Sequence, residues 1–243
     1  MVGLGDFSKR RTAMPYEFVS KKEYKPYYAD VCKLLDKLHH FMREHYDITF
    51  QHELIGSGKH HLITRRIGGN QGFDFDFNLV LQKWGDYRAS DLNNLFMNGL
   101  NEAVKGTRFK FPEDSTSVYT IKIVNQKKSK VCFSCDFAIV YYSDRLPEGY
   151  YCLKNHKIGD YIGNHSFEPR SFSTRYLDKL DKILMDPDGW NSIRDEYLKL
   201  KNCNHDPNKP SFALYQEAIC NVYNQISGII SEVGFSFMNK SRF

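Results

Sequence analysis

The stretch GFDFDFNLVL (72–81) alternates apolar and polar residues with a period of two, and it constrains the fold more than any other part of the chain. This period places successive side chains on opposite faces of a β-strand. One face would carry Asp74, Asp76 and Asn78. The opposite face would bury an apolar stripe made of Phe73, Phe75, Phe77, Leu79 and Leu81. The stretch therefore predicts a strand with a core on one side and two carboxylates on the other.

These carboxylates favour a site for cations. Asp74 and Asp76 would lie roughly 7 Å apart at Cα, and like charges at that spacing repel unless a cation lies between them. A second apolar run, VCFSCDFAIVYY (131–142), carries Asp136 on its polar side, where an unpaired carboxylate is out of place. Three carboxylates on neighbouring strands suit two divalent ions about 4 Å apart, the arrangement that supports in-line phosphoryl transfer. The alternative interpretation is a solvated acidic face.

The tetrapeptide Gly56-Ser57-Gly58-Lys59 looks like the end of a Walker A loop, but its surroundings exclude that motif. A Walker A loop needs a first glycine five positions before the second, and a Ser or Thr directly after its lysine. The chain has Glu53 and His60 at those two places. A tight glycine turn still presents backbone N–H groups to an anion, so phosphate binding by this turn stays a prediction.

Composition and charge limit the function classes. The 243 residues carry a formal net charge of +5 at pH 7, which permits a phosphate-bearing ligand but does not argue for a long RNA. No apolar run of about 18 residues is present and the first residues lack a signal core, so a cytoplasmic protein without a membrane partner is expected. The six cysteines then read as reduced thiols, and Cys132 and Cys135 as buried thiols rather than a zinc half-site.

The remaining patterns predict an α+β fold with a mixed β-sheet flanked by helices. Helical spacing predicts a long helix over 22–47 and a second one that starts at Ser90 or Asp91 and stops at Gly106. Strands are expected over 48–56 and 72–81, in a hairpin over 117–124 and 130–142, and in a smaller hairpin around Gly159. The patterns become helical from Ser171 onward, which predicts a division into residues 1–165 and a helical C-terminal lobe, residues 166–243.

The order of these features resembles the polymerase-β-like nucleotidyltransferase superfamily. In that superfamily a helix is followed by a strand that ends in Gly-Ser, a strand with Asp-x-Asp, a helix, and a strand with a third Asp. The matching residues are Gly56-Ser57, Asp74-Phe75-Asp76 and Asp136, and the resemblance covers roughly residues 30–142. It implies that residues 1–165 form a nucleotidyltransferase-like catalytic domain. The superfamily includes poly(A) polymerases, CCA-adding enzymes, oligoadenylate synthetases, bacterial cyclic-dinucleotide synthases and aminoglycoside nucleotidyltransferases.

The resemblance also implies roles for single residues. Gly56 and Ser57 would bind the β- and γ-phosphates of a nucleoside triphosphate. Asp74 and Asp76 would hold two Mg²⁺ or Mn²⁺ ions. Asp136 would hold the catalytic ion and help to activate a hydroxyl acceptor, which is a small molecule, a short nucleic acid or a protein. The expected reaction transfers a nucleoside monophosphate from the triphosphate to that hydroxyl by a two-metal mechanism.

The sequence departs from the family in the segment after Ser57, where GKHHLITRRIGGNQGF makes the distance to Asp74 longer than usual. Lys59, Arg65 and Arg66 in this segment are candidates for phosphate contacts, with surface solvation as the alternative. A catalytically silent relative that binds a nucleotide or a protein is therefore a second hypothesis, and a purely structural domain is a third. Five tyrosines are candidates for base stacking, with core packing as the alternative, and they are Tyr141, Tyr142, Tyr150, Tyr151 and Tyr161.

Overall fold

The computed structural model describes residues 14–158, 161–206 and 208–240, with side chains described for 14–156, 165–206 and 208–228. The strands are β1 (Tyr16–Phe18), β2 (Thr49–Ile55), β3 (Thr64–Arg66), β4 (Phe73–Lys83), β5 (Glu113–Asp114), β6 (Tyr119–Asn125), β7 (Lys130–Tyr141), β8 (Gly149–Ile158) and β9 (Tyr161–Ser171). The helices are α1 (Lys21–Tyr46), α2 (Gly56–Lys59), α3 (Ala89–Val104), α4 (Leu177–Ile183), α5 (Gly189–Cys203) and α6 (Ser211–Lys240), and Gln126–Lys128 forms a 3₁₀ turn.

The main sheet has the strand order β2-β4-β7-β6-β5, and β8 and β9 continue it from β7. The pair β4–β7 is parallel, whereas the other pairs in the sheet are antiparallel. The class predicted from the sequence, a mixed sheet flanked by helices, is confirmed. The hairpin of β6 and β7 is also confirmed, and so is the pairing of β8 with β9, although Gly159 lies outside the described residues.

The apolar stripe of β4 forms the centre of the main core, as its alternation predicts. Phe73, Phe75 and Phe77 are almost completely buried there, beside Phe133 and Phe137 of β7. Helices α1 and α3 cover this face of the sheet with their apolar sides, since both contribute buried residues to the same cluster. The opposite face of β4 is thereby left to the carboxylates.

Helix α1 begins and ends as local chemistry requires. The Ser20 hydroxyl accepts a hydrogen bond from the backbone N–H of Glu23, which satisfies one free donor of the first turn. Pro26 lies near the start, where a missing N–H is tolerated. The helix stops at Asp47, whose φ of 55° is left-handed.

Helix α3 starts earlier than the sequence predicts. The N-cap position is occupied by Arg88 rather than by Ser90 or Asp91, because the Asp91 carboxylate accepts a hydrogen bond from the backbone N–H of Arg88 and fixes the first turn. The predicted stop at Gly106 is confirmed by its left-handed backbone, with φ of +69°.

The strands β1 and β3 form a separate antiparallel ribbon that the sequence analysis did not predict. Each has only three residues, which is too short for a recognisable alternation. The ribbon contacts α5 directly. The Phe18 ring stacks on Tyr197 at a centroid distance of 6.4 Å, and the backbone N–H of Tyr16 donates to the Asn202 side chain at 2.6 Å.

The C-terminal helices share a second apolar cluster. It is centred on Ile183, Ile193, Tyr197 and Ile219, and it includes Leu62 from the segment after α2. The helical character predicted from Ser171 onward is confirmed for the described residues. The division near residue 165 stays a prediction, and this position lies within β9. Among the described helices, none combines the length and apolarity that crossing a bilayer requires.

Candidate active site

The register of the central strands places the three predicted carboxylates on one face of the sheet. Asp76 of β4 lies directly opposite Asp136 of β7, and Asp74 lies opposite Ser134. Neighbouring strands are about 4.8 Å apart, and residues two positions apart on a strand share a face. The sequence predicted this shared face correctly, because the period of two fixes the side on which each carboxylate lies. The metal-binding and catalytic roles of these residues stay predictions.

The glycine turn packs against this acidic face. Gly56 has a left-handed φ of +59°, and a Cβ atom at this position would lie 2.7 Å from Oδ2 of Asp76. The site therefore requires glycine both for the backbone conformation and for the close approach of the carboxylate. Gly58 is equally confined on the core side, because its Cβ would lie 2.8 Å from Cδ1 of Leu54. Both glycines hold Ser57 at the edge of the acidic face.

An open cavity of about 270 Å³ connects the glycine turn, the acidic strand and the C-terminal helices. Gly56, Ser57, Asp74 and Asp76 all line it, so four of the predicted site residues meet around one space. Thr64, Lys201, Ser211 and Phe212 complete the lining. Asp136 lies beside Asp76 on the neighbouring strand but outside this lining, and Lys59 is exposed and also outside it.

Lys201 is the principal site residue that the sequence analysis missed. It lies near the end of α5, and its Nζ donates to the Ser211 hydroxyl at 3.1 Å and to the Tyr197 hydroxyl at 3.3 Å. Burial lowers the pKa of Lys201, while the nearby charges of Asp74, Tyr16 and Asp76 act to raise it. In the sequence this lysine looks like any basic residue in the last turn of an amphipathic helix, so no local signal marks it.

The acidic face is electrostatically crowded. Burial, followed by repulsion from Asp74 and Asp136, raises the pKa of Asp76 to about 7. The pKa of Asp74 is also raised, chiefly by burial. The side chain itself is in contact with solvent in the cleft, and the burial comes from the protein atoms that surround the cleft at longer range. The positive charge of Lys201 acts to lower the pKa of both carboxylates. Burial is thus the main cause of both shifts, and the charge of Lys201 offsets them only in part.

Asp136 is held by a neighbouring strand. The Thr120 hydroxyl on β6 donates to Oδ1 of Asp136 at 2.6 Å. Burial raises the pKa of Asp136, the bond from Thr120 lowers it, and the charge of Asp74 raises it further. Thr120 thus fixes the orientation of the carboxylate through Oδ1.

The carboxylates are adjacent without forming a preformed metal cage. Within the described part of the chain, no three His, Cys, Asp or Glu side chains are arranged as metal ligands. Among these same residues, Asp74, Asp76 and Asp136 form no ion pair with a Lys, Arg or His side chain. The donor set still suits a hard divalent cation, because it offers only oxygen ligands and an excess of negative charge.

The segment between Ser57 and Asp74 is longer than usual because it contains strand β3. Arg65 pairs with Glu17 and Glu23, which ties the ribbon to α1 and removes this residue from the candidates for phosphate binding. Arg66 lies over the Tyr16 ring at 5.0 Å. His60 packs against Tyr215 in a stacked arrangement, with centroids 4.6 Å apart.

The tyrosine candidates divide between two environments. Tyr141 stacks on Tyr151 at 4.9 Å and packs against the main core, which supports the packing interpretation for both. Tyr142 is exposed, with Tyr150 beside it, and its hydroxyl donates to Glu53 at 2.9 Å. The side chain of Tyr161 lies outside the described residues. Instead, Phe212 places a partly exposed aromatic ring at the cavity itself.

The two cysteines of the CxxC pair both contact the main core. Cys135 is completely buried in it, and Cys132 is partly buried at its margin. The register between β6 and β7 shifts at Cys132, so the regular alternation of faces does not relate the two side chains. Among the described residues, neither cysteine belongs to a group of side chains that could hold a metal ion.

No protein-family model matches the sequence, and no curated protein is similar to it. Among solved structures, the chain is similar to Escherichia coli DncV in its 3'-deoxy GTP bound form, with a TM-score of 0.49 and 10% identity over 84% of this chain and 54% of that chain. It is also similar to the Bradyrhizobium diazoefficiens CD-NTase CdnG in complex with GTP, with a TM-score of 0.42 and 10% identity over 65% of this chain and 42% of that chain.

A third similar structure is the Vibrio cholerae DncV cyclic AMP-GMP synthase in complex with the linear intermediate 5' pppA(3',5')pG, with a TM-score of 0.39 and 14% identity over 73% of this chain and 51% of that chain. The chain thus spans about half the length of the solved structures that it matches.

Proposed function

We propose that the chain binds a nucleoside triphosphate in the cavity beside Asp74 and Asp76 and transfers its nucleoside monophosphate to a hydroxyl acceptor. One observation carries the proposal: a glycine turn presses against Asp76, and Asp76 faces Asp136 on the adjacent parallel strand. A phosphate bound by the glycine turn would be repelled by the neighbouring carboxylates unless cations lie between them. A triphosphate complexed with divalent ions supplies those cations.

The residues at the acidic face fit a pair of Mg²⁺ or Mn²⁺ ions. Asp74 and Asp76 would hold both ions, and Asp136 would hold one of them. Bound ions would neutralise the phosphate oxygens and orient the reacting groups. The raised pKa of Asp76 supports this assignment, because its charge is costly in the protein alone and is stabilised once a cation is present.

The remaining lining supplies contacts for the rest of the nucleotide. The Ser57 hydroxyl and the backbone amides of the glycine turn would donate to the terminal phosphates. Lys201 would pair with the same phosphates across the cavity, since it already reaches the acidic strand electrostatically. Phe212 offers a flat apolar surface on which a base can stack, a contact worth about 1–3 kcal/mol.

Asp136 is placed to accept the proton of the acceptor hydroxyl. The acceptor oxygen would attack the α-phosphorus and form a new P–O bond. The bond from this phosphorus to the bridging oxygen would break, and its electron pair would leave with pyrophosphate. The hydroxyl proton would pass to Oδ2 of Asp136, because Oδ1 is engaged by Thr120. Most of the rate enhancement would come from positioning and electrostatics rather than from covalent chemistry by the protein.

The proposal is tested by incubating the full chain with each radiolabelled nucleoside triphosphate, Mg²⁺ or Mn²⁺, and a pool of acceptors. The acceptors would include hydroxylated small molecules, short oligonucleotides and the protein itself. We expect release of pyrophosphate together with a labelled product. Asp76→Asn and Asp136→Asn should each abolish both signals, and Asp86→Asn, an exposed residue in the turn after β4, should leave them unchanged.

The same experiment separates the competing hypotheses. Tight nucleotide binding without product would favour the catalytically silent relative. The absence of both binding and transfer would favour a structural domain with a solvated acidic face. Transfer that survives in Asp76→Asn would remove the two-metal assignment.

A further inference from the structure

A second cavity, of about 440 Å³, opens next to the candidate active site. Lys201 and Ser211 line both cavities, so the two spaces meet at these side chains. The second cavity extends along the β1–β3 ribbon, whose Tyr16 and Arg66 form one wall. Its other wall comes from the segment between α5 and α6, including Lys209.

This second cavity is cationic, in contrast to the acidic space beside it. Arg66, Lys201 and Lys209 all contribute positive charges, and Asp206 is the one carboxylate among its described lining residues. Lys209 is partly neutralised, because it pairs with Glu217 of α6. Arg66 forms no ion pair within the described part of the chain and is exposed. The cavity therefore retains uncompensated positive charge.

Two of these cations contact the same aromatic ring. The guanidinium of Arg66 and the ammonium of Lys201 each lie 5.0 Å from the centroid of Tyr16, so they are no more than about 10 Å apart. Burial disfavours the charged form of Lys201. An anion that lies between Arg66 and Lys201 would be attracted to both cations and would offset this cost.

The position of the cavity indicates which anion it receives. The cavity adjoins the active site at Ser211 and at Lys201, the residue proposed to pair with the terminal phosphates. No residue of β7, the strand that carries the proposed proton acceptor Asp136, lines the cationic cavity. In an in-line displacement, the incoming hydroxyl and the leaving group lie on opposite sides of the phosphorus, so the leaving group would depart on the side of the terminal phosphates.

We infer that the cationic cavity is a binding site for the leaving pyrophosphate, held by Arg66, Lys201 and Lys209 after it moves past Ser211. The inference rests on the proposed function, because it needs a reaction that releases pyrophosphate. It assigns to the β1–β3 ribbon, whose strand β3 lies in the segment after the glycine turn, the task of stabilising and guiding the departing product.

The inference is tested by calorimetric titration of the full chain with inorganic pyrophosphate in metal-free buffer. Arg66→Gln should weaken binding about tenfold or more, since a hydrogen bond to a charged group is lost. Lys209→Gln should weaken it about threefold to tenfold, because Glu217 already shares this charge. Arg66→Lys should retain most of the affinity. The matched controls are Arg145→Gln and Lys127→Gln, which are exposed and distant in sequence from the cavity.

Pyrophosphate binding that is equal in the parent, Arg66→Gln and Lys209→Gln would overturn the inference, as would an equal loss in the two controls. Asp76→Asn separates the two proposals, because it should lose nucleotide transfer and bind pyrophosphate at least as well as the parent. Transfer activity combined with insensitivity to Arg66 and Lys209 would refute the pyrophosphate site alone. Pyrophosphate binding that depends on both residues, in a chain that transfers no nucleotide, would refute the proposed function alone.

Discussion

Replacing Asp76 by Asn should stabilise the protein in the absence of metal, and the effect should depend on pH. Asp76 is half-buried beside Asp74 and Asp136, and its pKa rises from 3.8 to about 7. Each pH unit of such a difference corresponds to 1.36 kcal/mol, so the carboxylate destabilises the folded state by up to about 4 kcal/mol once it is ionised. Asn keeps the shape of the side chain and removes the charge.

The sign follows from proton binding in the two states. Between about pH 4 and pH 7, folded Asp76 holds a proton that the unfolded chain has already released, so the free energy of unfolding falls as the pH rises. The parent should therefore lose stability across this interval and reach a plateau above it. Asp76→Asn should lack this component of the slope. It should exceed the parent by up to about 4 kcal/mol at pH 8 and match it below pH 4.

Urea unfolding of the metal-free protein, followed by tryptophan fluorescence at several pH values, measures the difference. Asp86→Asn is the matched control, because Asp86 is exposed and its loss should leave the pH dependence unchanged. Addition of Mn²⁺ with a nucleoside triphosphate should narrow the difference at pH 8, since ligand binding stabilises only a chain that can bind it, by roughly 2.7 kcal/mol at a hundredfold excess over Kd. A variant that is no more stable than the parent at pH 8 would contradict the crowding of the three carboxylates.

Four further outcomes are expected. Thr120→Val should lower kcat about tenfold and move the acidic limb of the kcat–pH profile to higher pH, because the lost bond had lowered the pKa of Asp136. Gly85→Ala, at a left-handed φ with open space around it, should cost only the backbone strain of about 1–3 kcal/mol in urea unfolding, whereas Gly56→Ala, at a similar φ, should cost more because its Cβ would also meet the Asp76 carboxylate. Lys201→Gln should weaken nucleotide binding about tenfold in equilibrium dialysis, and an unchanged Kd would exclude its phosphate contact. Metal binding near pH 7 should release up to one proton, measured by calorimetry in buffers of different ionisation enthalpy, and this release should vanish in Asp76→Asn.

The acidic half of the site was predictable because the alternation of apolar and polar residues along one strand determines the face on which the carboxylates lie. Alternation over GFDFDFNLVL fixes the side on which Asp74 and Asp76 lie, whatever the neighbouring strands are. The position of Asp136 opposite Asp76 needed one more inference, the parallel pairing of β4 and β7, which the helix between the strands makes natural. The glycine turn was also predictable, because only glycine tolerates the left-handed backbone at Gly56 and the carboxylate of Asp76 beside it.

The basic half was not predictable because it depends on contacts between distant parts of the chain. Lys201 reaches the acidic strand only through the packing of α5 on the ribbon, and nothing in the residues around it signals this. The prediction for Lys59 relied on its closeness in sequence to the glycine turn, but the turn of α2 leaves its side chain exposed. Residues that share a cavity because of tertiary packing, such as Thr64 and Ser211, carry no local pattern.

The β1–β3 ribbon has a mechanical consequence. Tyr16 and Phe18 attach it to α5, and Arg194 of α5 adds a hydrogen bond of 2.7 Å to the carbonyl of His61, next to the ribbon. The ribbon and α5 should therefore move as one rigid body, and this movement would have to break the ion pair between Arg65 and Glu23 of α1. If the cleft opens, Lys201 would withdraw from the carboxylates of β4 while keeping its distance from Tyr16. The slowest-exchanging backbone amides of the ribbon should then exchange in step with those of α5 rather than with those of the central sheet.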